Sequence, residues 1–253
     1  MEINNSFLCP SCSFTVDNTM NFCDKCGNAL KQTDKSEKEF ITKSIVFYLS
    51  FIGFLVFYYF FQPEYNTLTS EIILNSVFIV FVLFFCFLDL KKIIPLFSLK
   101  QIPIIVYVLT FLFPIFSTII VFISIGWLNQ SLGFENENLF SGYAHFSTPY
   151  IWAFLFTAFV PAIFEELAFR GYLFNQLIQI LTPKNTIIVS SFLFALMHLS
   201  VLSLIWILPF GIILGFLRLK YNTLWLGIAI HFIHNSLMLI IDIAYPDLLN
   251  NII

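Results

Sequence analysis

Residues 186–217 read TIIVSSFLFALMHLSVLSLIWILPFGIILGFL, 32 positions without an acidic residue, lysine or arginine. As one helix this stretch would run about 48 Å at 1.5 Å per residue, far beyond a hydrocarbon core of roughly 30 Å. As a hairpin turning near Ser200 and Ser203 it supplies two crossings. The choice sets the side of the membrane on which the remaining chain emerges.

Charge decides between the two. With the hairpin, the apolar runs are 45–61, 72–88, 102–128 (with Pro114), 150–168, 186–199, 201–217 and 224–243. Lys25, Lys31, Lys35, Lys38, Lys43, Lys91, Lys92, Lys100, Lys184, Arg218 and Lys220 then fall on one side. Glu64, Glu71, Glu135, Glu137 and Asp247 fall on the other, with no Lys or Arg. A single span would carry Arg218 and Lys220 across and break this segregation. The positive-inside rule puts the N-terminus in the cytoplasm and the C-terminus outside. Residues 1–6 lack the apolar core of a signal peptide, so insertion through the first span is expected.

The composition agrees. Hydrophobic residues make up 59% of the chain and charged ones 11%, against about 25% charged in an ordinary soluble domain. The expected fold is an all-α polytopic membrane protein of about seven transmembrane helices plus a small N-terminal zinc ribbon. No basic patch points to nucleic acid. The lipid bilayer is the first partner.

The ribbon is read from Cys9-Pro-Ser-Cys12 and Cys23-Asp-Lys-Cys26, with Gly27 after the second pair. Two such knuckles match tetrahedral zinc ligation by four thiolates, and the glycine permits a tight turn. Disulfides are the alternative, but a cytoplasmic N-terminus favours thiolates. Four cysteines leave no open coordination position, so a structural or recognition role follows. This pattern resembles the small ribbons at the ends of many bacterial membrane proteins, which suggests a bacterial cell membrane. The organisation is thus a ribbon over 1–30, a polar linker or fraying helix over 31–44, and a membrane domain over 45–253. Cys86, inside an apolar run, reads as a small buried hydrophobe.

Chemistry is concentrated at residues 164–172, Phe-Glu-Glu-Leu-Ala-Phe-Arg-Gly-Tyr, after a long apolar run. A charge at the centre of a membrane helix costs about 2.5–3.5 kcal/mol on insertion scales. Three charges here therefore suggest a site. In a helix Glu166 and Arg170 share a face at i, i+4, while Glu165 points about 100° away. Few other ionisable residues lie in the spans; the relevant ones are His198, His231 and His234, joined by Asn235, with His231 and Asn235 again at i, i+4. Helical rise puts Glu165 roughly 22 Å from the outer side and His231 roughly 10 Å from the inner side, at similar depth. His198 comes out roughly 18 Å from the inner side.

Such a set suits hydrolysis. Glu165 could act as general base toward water, His198 could orient that water, and His231 and Asn235 could donate to a tetrahedral oxyanion. Glu166 would hold Arg170. His234 reads as an interhelical hydrogen bonder and His145 as an inert loop residue. A catalytic metal is a competing reading, with Glu165, His198 and His231 as a two-His, one-carboxylate ligand set.

These residues also carry a resemblance. Glu-Glu-x-x-x-Arg (Glu165, Glu166, Arg170), Phe-x-x-x-His (Phe194, His198) and His-x-x-x-Asn (His231, Asn235) stand in the order seen in the CAAX prenyl protease and bacteriocin-processing intramembrane proteases, the glutamic endopeptidases. The resemblance covers about residues 149–239. It implies peptide-bond hydrolysis in the membrane, without a catalytic metal. The first glutamate would activate water, and the second histidine and the asparagine would form the oxyanion site. The implied substrate is a peptide or membrane protein, such as a prenylated C-terminus or a bacteriocin leader; self-immunity is another role of such proteins. The competing function is a non-catalytic membrane adaptor or immunity protein whose zinc ribbon binds a protein partner.

Overall fold

A computed structural model of the chain describes residues 6–9, 11–17, 20, 22–28, 30, 34–61, 67–98, 101–133 and 138–245. Two short strands, β1 (Ser6–Leu8) and β2 (Thr15–Asp17), pair antiparallel with Ser6 opposite Asp17. Among the described residues seven longer helices follow: α1 (Asp34–Phe61), α2 (Leu68–Leu88), α3 (Ile104–Leu132), α4 (Pro149–Leu177), α5 (Pro183–Leu196), α6 (Leu204–Tyr221) and α7 (Trp225–Ala244), with two short turns of helix over Leu90–Ile93 and Ile94–Phe97 after α2. Exposed side chains such as Ile104, Phe116 and Phe84 cover the outside of the bundle, as lipid requires.

Six of the seven are long and apolar enough to cross a membrane. The exception is α5, whose 14 residues span about 21 Å. It starts where Thr182 accepts from the Asn185 N–H at 3.3 Å and Pro183 occupies the first turn. It ends before a turn over residues 197–203 in which Leu199 adopts φ 52°. The hairpin expected at Ser200 and Ser203 is therefore present, but its first leg is a partial span. The expected count of seven becomes six spans and a short helix, because the chain turns before α5 has reached crossing length.

α1 begins well before the first apolar run. Residues 34–44, read as linker or fraying helix, belong to the same continuous helix as the first span. Ser44 donates to the Phe40 carbonyl at 2.9 Å, and Lys43 pairs with Glu39 one turn earlier at 2.6 Å. Residues 31–33 lie outside the described residues. Glu71 is a second correction. It sits in the first turn of α2, behind a capping box formed by Thr67 and Ser70, and is buried rather than in a loop.

α4 is the axis. In its membrane window 44% of residues are buried, against 17% in that of α1. On one side Phe169 and Tyr172 of α4 meet Phe47 of α1, which stacks edge-on with Phe85 of α2. On the other, α7 packs along α4 and α3. α5 and α6 approach closely because α6 carries glycines one turn apart. A Cβ at Gly211 would lie 3.1 Å from Ser191 Cβ, and one at Gly215 would lie 3.3 Å from Ile187 Cγ2. Small residues at i, i+4 are the ordinary device for close helix contact in lipid.

At the end of the bundle where α2 stops, polar groups bind the helices together. Arg218 of α6 donates to the Arg170 carbonyl at 3.0 Å and to Asn175 Oδ1 at 2.8 Å, while Asn175 and Gln176 donate to Asp89. Arg218, expected to be a loop charge, is buried. The cysteine-bearing segment lies at this end too, since a Cβ on Gly27 would come within 3.6 Å of Thr182.

Candidate active site

α4 is not a regular helix. Residues Leu155–Phe159 and Glu166–Leu173 are π-helical, and such widened turns recur at functional sites. Pro161 helps explain the first: it has no N–H to offer the carbonyl of Thr157, four residues back. That carbonyl is taken instead by Asn235 of α7, whose Nδ2 donates to it at 3.1 Å. One face of α7 is thereby fixed against α4, with His231 one turn from Asn235.

The second widened turn bears the charges. Arg170 Nη1 donates to Glu166 Oε1 at 2.9 Å, and both side chains are essentially inaccessible. The same guanidinium donates through Nη2 to the Gly211 carbonyl at 3.2 Å and lies over the Phe194 ring, 4.1 Å from its centroid. Two glycines make room. A Cβ on Gly227 would lie 2.5 Å from Glu166 Oε2, and one on Gly211 would lie 3.0 Å from Arg170 Nη2. Neither glycine was singled out from sequence, although Gly227 stands four residues before His231, on the same helix face.

Glu165 is placed differently. It is half-buried, and its Oε2 has no hydrogen-bond partner. His231 stands beside both glutamates, with its Nε2 3.8 Å from Glu165 Oε2 and its Nδ1 3.6 Å from Glu166 Oε1. Both gaps exceed hydrogen-bond length, and His231 Nδ1 is itself unpartnered. His231 is therefore held between two carboxylates without being locked to either.

His198 lies in the turn just after α5, with Nδ1 3.2 Å from the Phe194 carbonyl. A neutral ring donating from Nδ1 presents Nε2 as an acceptor. Phe194 is the hub of the site: its ring meets His198 at 5.1 Å, His231 at 6.1 Å and Phe169 at 5.2 Å between centroids. His234 turns away to Ser117 and Thr118 of α3, at 3.0 and 3.1 Å, as an interhelical bond. His145 sits in the loop before α4, with its ring 4.5 Å from that of Phe146.

Two cavities flank Phe194 and His198. One of about 250 Å³ is lined by Glu165, His198, Phe169 and Pro161 and extends to Glu71, Tyr58 and Tyr143. The other, about 210 Å³, is lined by His198, His231, His234, Asn235 and Trp206. Glu165, Glu166, Arg170, His198, His231 and Asn235 are thus gathered around one place by α4, α5 and α7. Glu165 and His231 approach within 3.8 Å, but with His198 the three donor atoms do not all lie within 4.8 Å of one another. Among the described residues that condition is met by Cys9, Cys12, Cys23 and Cys26.

Those four thiols form a separate centre. Cys9 and Cys26 sulfurs are 3.6 Å apart, as are those of Cys12 and Cys23. A tetrahedron with metal–sulfur bonds of about 2.3 Å has edges of about 3.8 Å, so the spacing fits a bound metal ion and is far too long for disulfides. Burial opposes ionisation of Cys9, but backbone N–H groups of Ser11 and Cys12 lower its thiol to about 7. For Cys12 the Phe14 backbone lowers the pKa, yet burial and the three neighbouring sulfurs push it up to about 12. Four thiolates at this spacing need a cation.

Residues 147–237 match the family model described as Type II CAAX prenyl endopeptidase Rce1-like. The match spans α4 to α7 and contains every residue of the membrane site. No curated protein and no solved structure matches the chain.

Proposed function

We propose that the chain is an intramembrane endopeptidase of the CAAX-protease type that hydrolyses a peptide bond with a glutamate-activated water. The observation that carries this reading is the division between the two glutamates. Glu166 is paired with Arg170 and closed off from solvent, whereas Glu165 is bonded to no cation among the described residues, is 22% exposed and lines a cavity shared with His198.

In this mechanism water enters the cavity and hydrogen-bonds to Glu165, with His198 Nε2 orienting it. Glu165 takes one proton as the water oxygen attacks the substrate carbonyl carbon. The resulting oxyanion receives a hydrogen bond from His231 and from the amide proton of Asn235 that is not committed to Thr157. As the carbon–nitrogen bond breaks, Glu165 returns its proton to the leaving amine. Glu166 and Arg170 do not touch the substrate. They hold α4, and through Phe194 they hold His198 and His231.

The cysteine centre would hold Zn²⁺ through Cys9, Cys12, Cys23 and Cys26, supplying structural cross-linking of the N-terminal segment and docking for a protein partner. The membrane orientation that suits this assignment places the N-terminus in the cytoplasm. Glu165→Gln, incorporated in bilayer nanodiscs, should lose turnover of membrane peptides by at least about 10³-fold while unfolding at the wild-type midpoint. Retained turnover would remove the assignment.

A further inference from the structure

Glu71 lies outside the segment that matches the family model, yet it lines the same 250 Å³ cavity as Glu165. It is buried, and its one side-chain partner among the described residues is Asn75, a neutral amide 3.4 Å away on the same helix. A buried carboxylate without a cation is unfavourable by several kcal/mol or more. Tyr58 and Tyr143 stand beside it, and Phe54 and Phe78 continue the aromatic lining toward Glu165. Burial pushes the Tyr143 phenol up, and Glu71 and Tyr58 add to it, so Tyr143 stays neutral beside the carboxylate. Aromatic faces around one acidic group are the arrangement that receives an ammonium or guanidinium.

We infer that this end of the cavity is a subsite for a cationic side chain of the substrate. The occupant is a Lys or Arg of the peptide, held by the Glu71 carboxylate beside the rings of Tyr58 and Tyr143. Register gives its place in the sequence. Phe78 lies two turns of α2 beyond Glu71, about 10 Å, and its ring meets Phe164, the neighbour of Glu165, at 6.5 Å. An extended peptide advances about 3.3–3.6 Å per residue, so the cation stands two to four residues from the scissile bond. This inference rests on the proteolytic reading, and it extends the site to a wall built from α1, α2 and the loop before α4.

The test uses full-length protein in nanodiscs and one pool of random-sequence decapeptides, N-acetylated and containing lysine, offered before and after acetylation of the lysines. Cleavage sites are read by mass spectrometry, and retention of each pool on immobilised protein is read separately. The wild type should cleave the charged pool about tenfold faster, with lysine concentrated two to four positions from the cut, and should retain it preferentially. In Glu71→Gln both ratios should fall to about one, and Glu71→Asp should recover part of each. Cleavage with no preference for charge, or a preference that survives Glu71→Gln, overturns the subsite. Preferential retention that depends on Glu71, without cleavage of either pool, upholds the subsite and overturns the protease.

Discussion

The same sequence pattern, a glutamate followed four residues later by a base, occurs in two helices of this molecule. In α4 it joins Glu166 to Arg170 at 2.9 Å, with side chains 1% and 0% exposed. Near the start of α1 it joins Glu39 to Lys43 at 2.6 Å, with side chains 60% and 44% exposed. The distances barely differ, and the consequences are opposite. The exposed pair has water as an alternative partner for each charge, so its net worth is small. The buried pair has none. Its guanidinium must also find the Gly211 carbonyl and the Phe194 face, and its carboxylate needs the space left by Gly227. Distance alone says little about an ion pair. What replaces it when it breaks says more.

The comparison breaks most sharply at Arg170. Arg170→Met leaves Glu166 charged and buried, and removal of one member of such a pair costs about 3–5 kcal/mol. Denaturant titration in detergent should show that loss, along with collapse of turnover as Phe194 and His231 shift. The double replacement Glu166→Leu with Arg170→Met should recover most of the stability, because two apolar groups in place of a buried ion pair are often neutral or better. Turnover should stay low, since His231 loses one of its two flanking carboxylates. Recovery of activity together with stability would mean that the pair is only a brace.

A smaller effect is expected at Gly227. The Cβ of Gly227→Ala would lie 2.5 Å from Glu166 Oε2, so the carboxylate must move and rotate away from Arg170. Overpacking of this kind costs about 1–3 kcal/mol, measured as a lowered unfolding midpoint. Gly227→Ala combined with Glu166→Leu should unfold like Glu166→Leu alone if the clash lies where the structure places it.

Periodicity made part of this legible in the sequence. Residues four apart on one helix had to meet, so Glu166 with Arg170 and His231 with Asn235 could be paired before any fold was known, and Glu165 could be set apart from them. Length and charge were enough for the α5–α6 hairpin. They were not enough for α5 itself, since the point where a turn begins depends on Leu199 and its neighbours and not on hydropathy. Asn235 was read as a donor to the substrate, yet one of its amide protons goes to Thr157. That contact exists because Pro161 leaves a carbonyl unpaired on another helix, which periodicity within α7 cannot report. Arg218 and Glu71 both looked like loop charges for a similar reason. Each stands at a helix end, and only the packing of neighbouring helices decides whether a helix end is wet.

The exposed pair completes the comparison and should respond least. Lys43→Met removes the ammonium from Glu39 but leaves that carboxylate more than half accessible. Water takes the place of the lost donor, and a helical position near the membrane edge accepts Met without loss of propensity. Lys43 also lies 5.7 Å from the centroid of the Phe40 ring, an exposed contact that adds a further fraction. The expected change is within about 0.5 kcal/mol, in the same denaturant titration used for Arg170→Met. A loss approaching that of Arg170→Met would mean that the start of α1 is enclosed in the working protein, and the most economical agent of that enclosure is the cysteine-bearing segment, which meets the bundle at Thr182. If a metal orders that segment, a chelator should then bring Lys43→Met and wild type together, because an uncovered Glu39 returns to water in both.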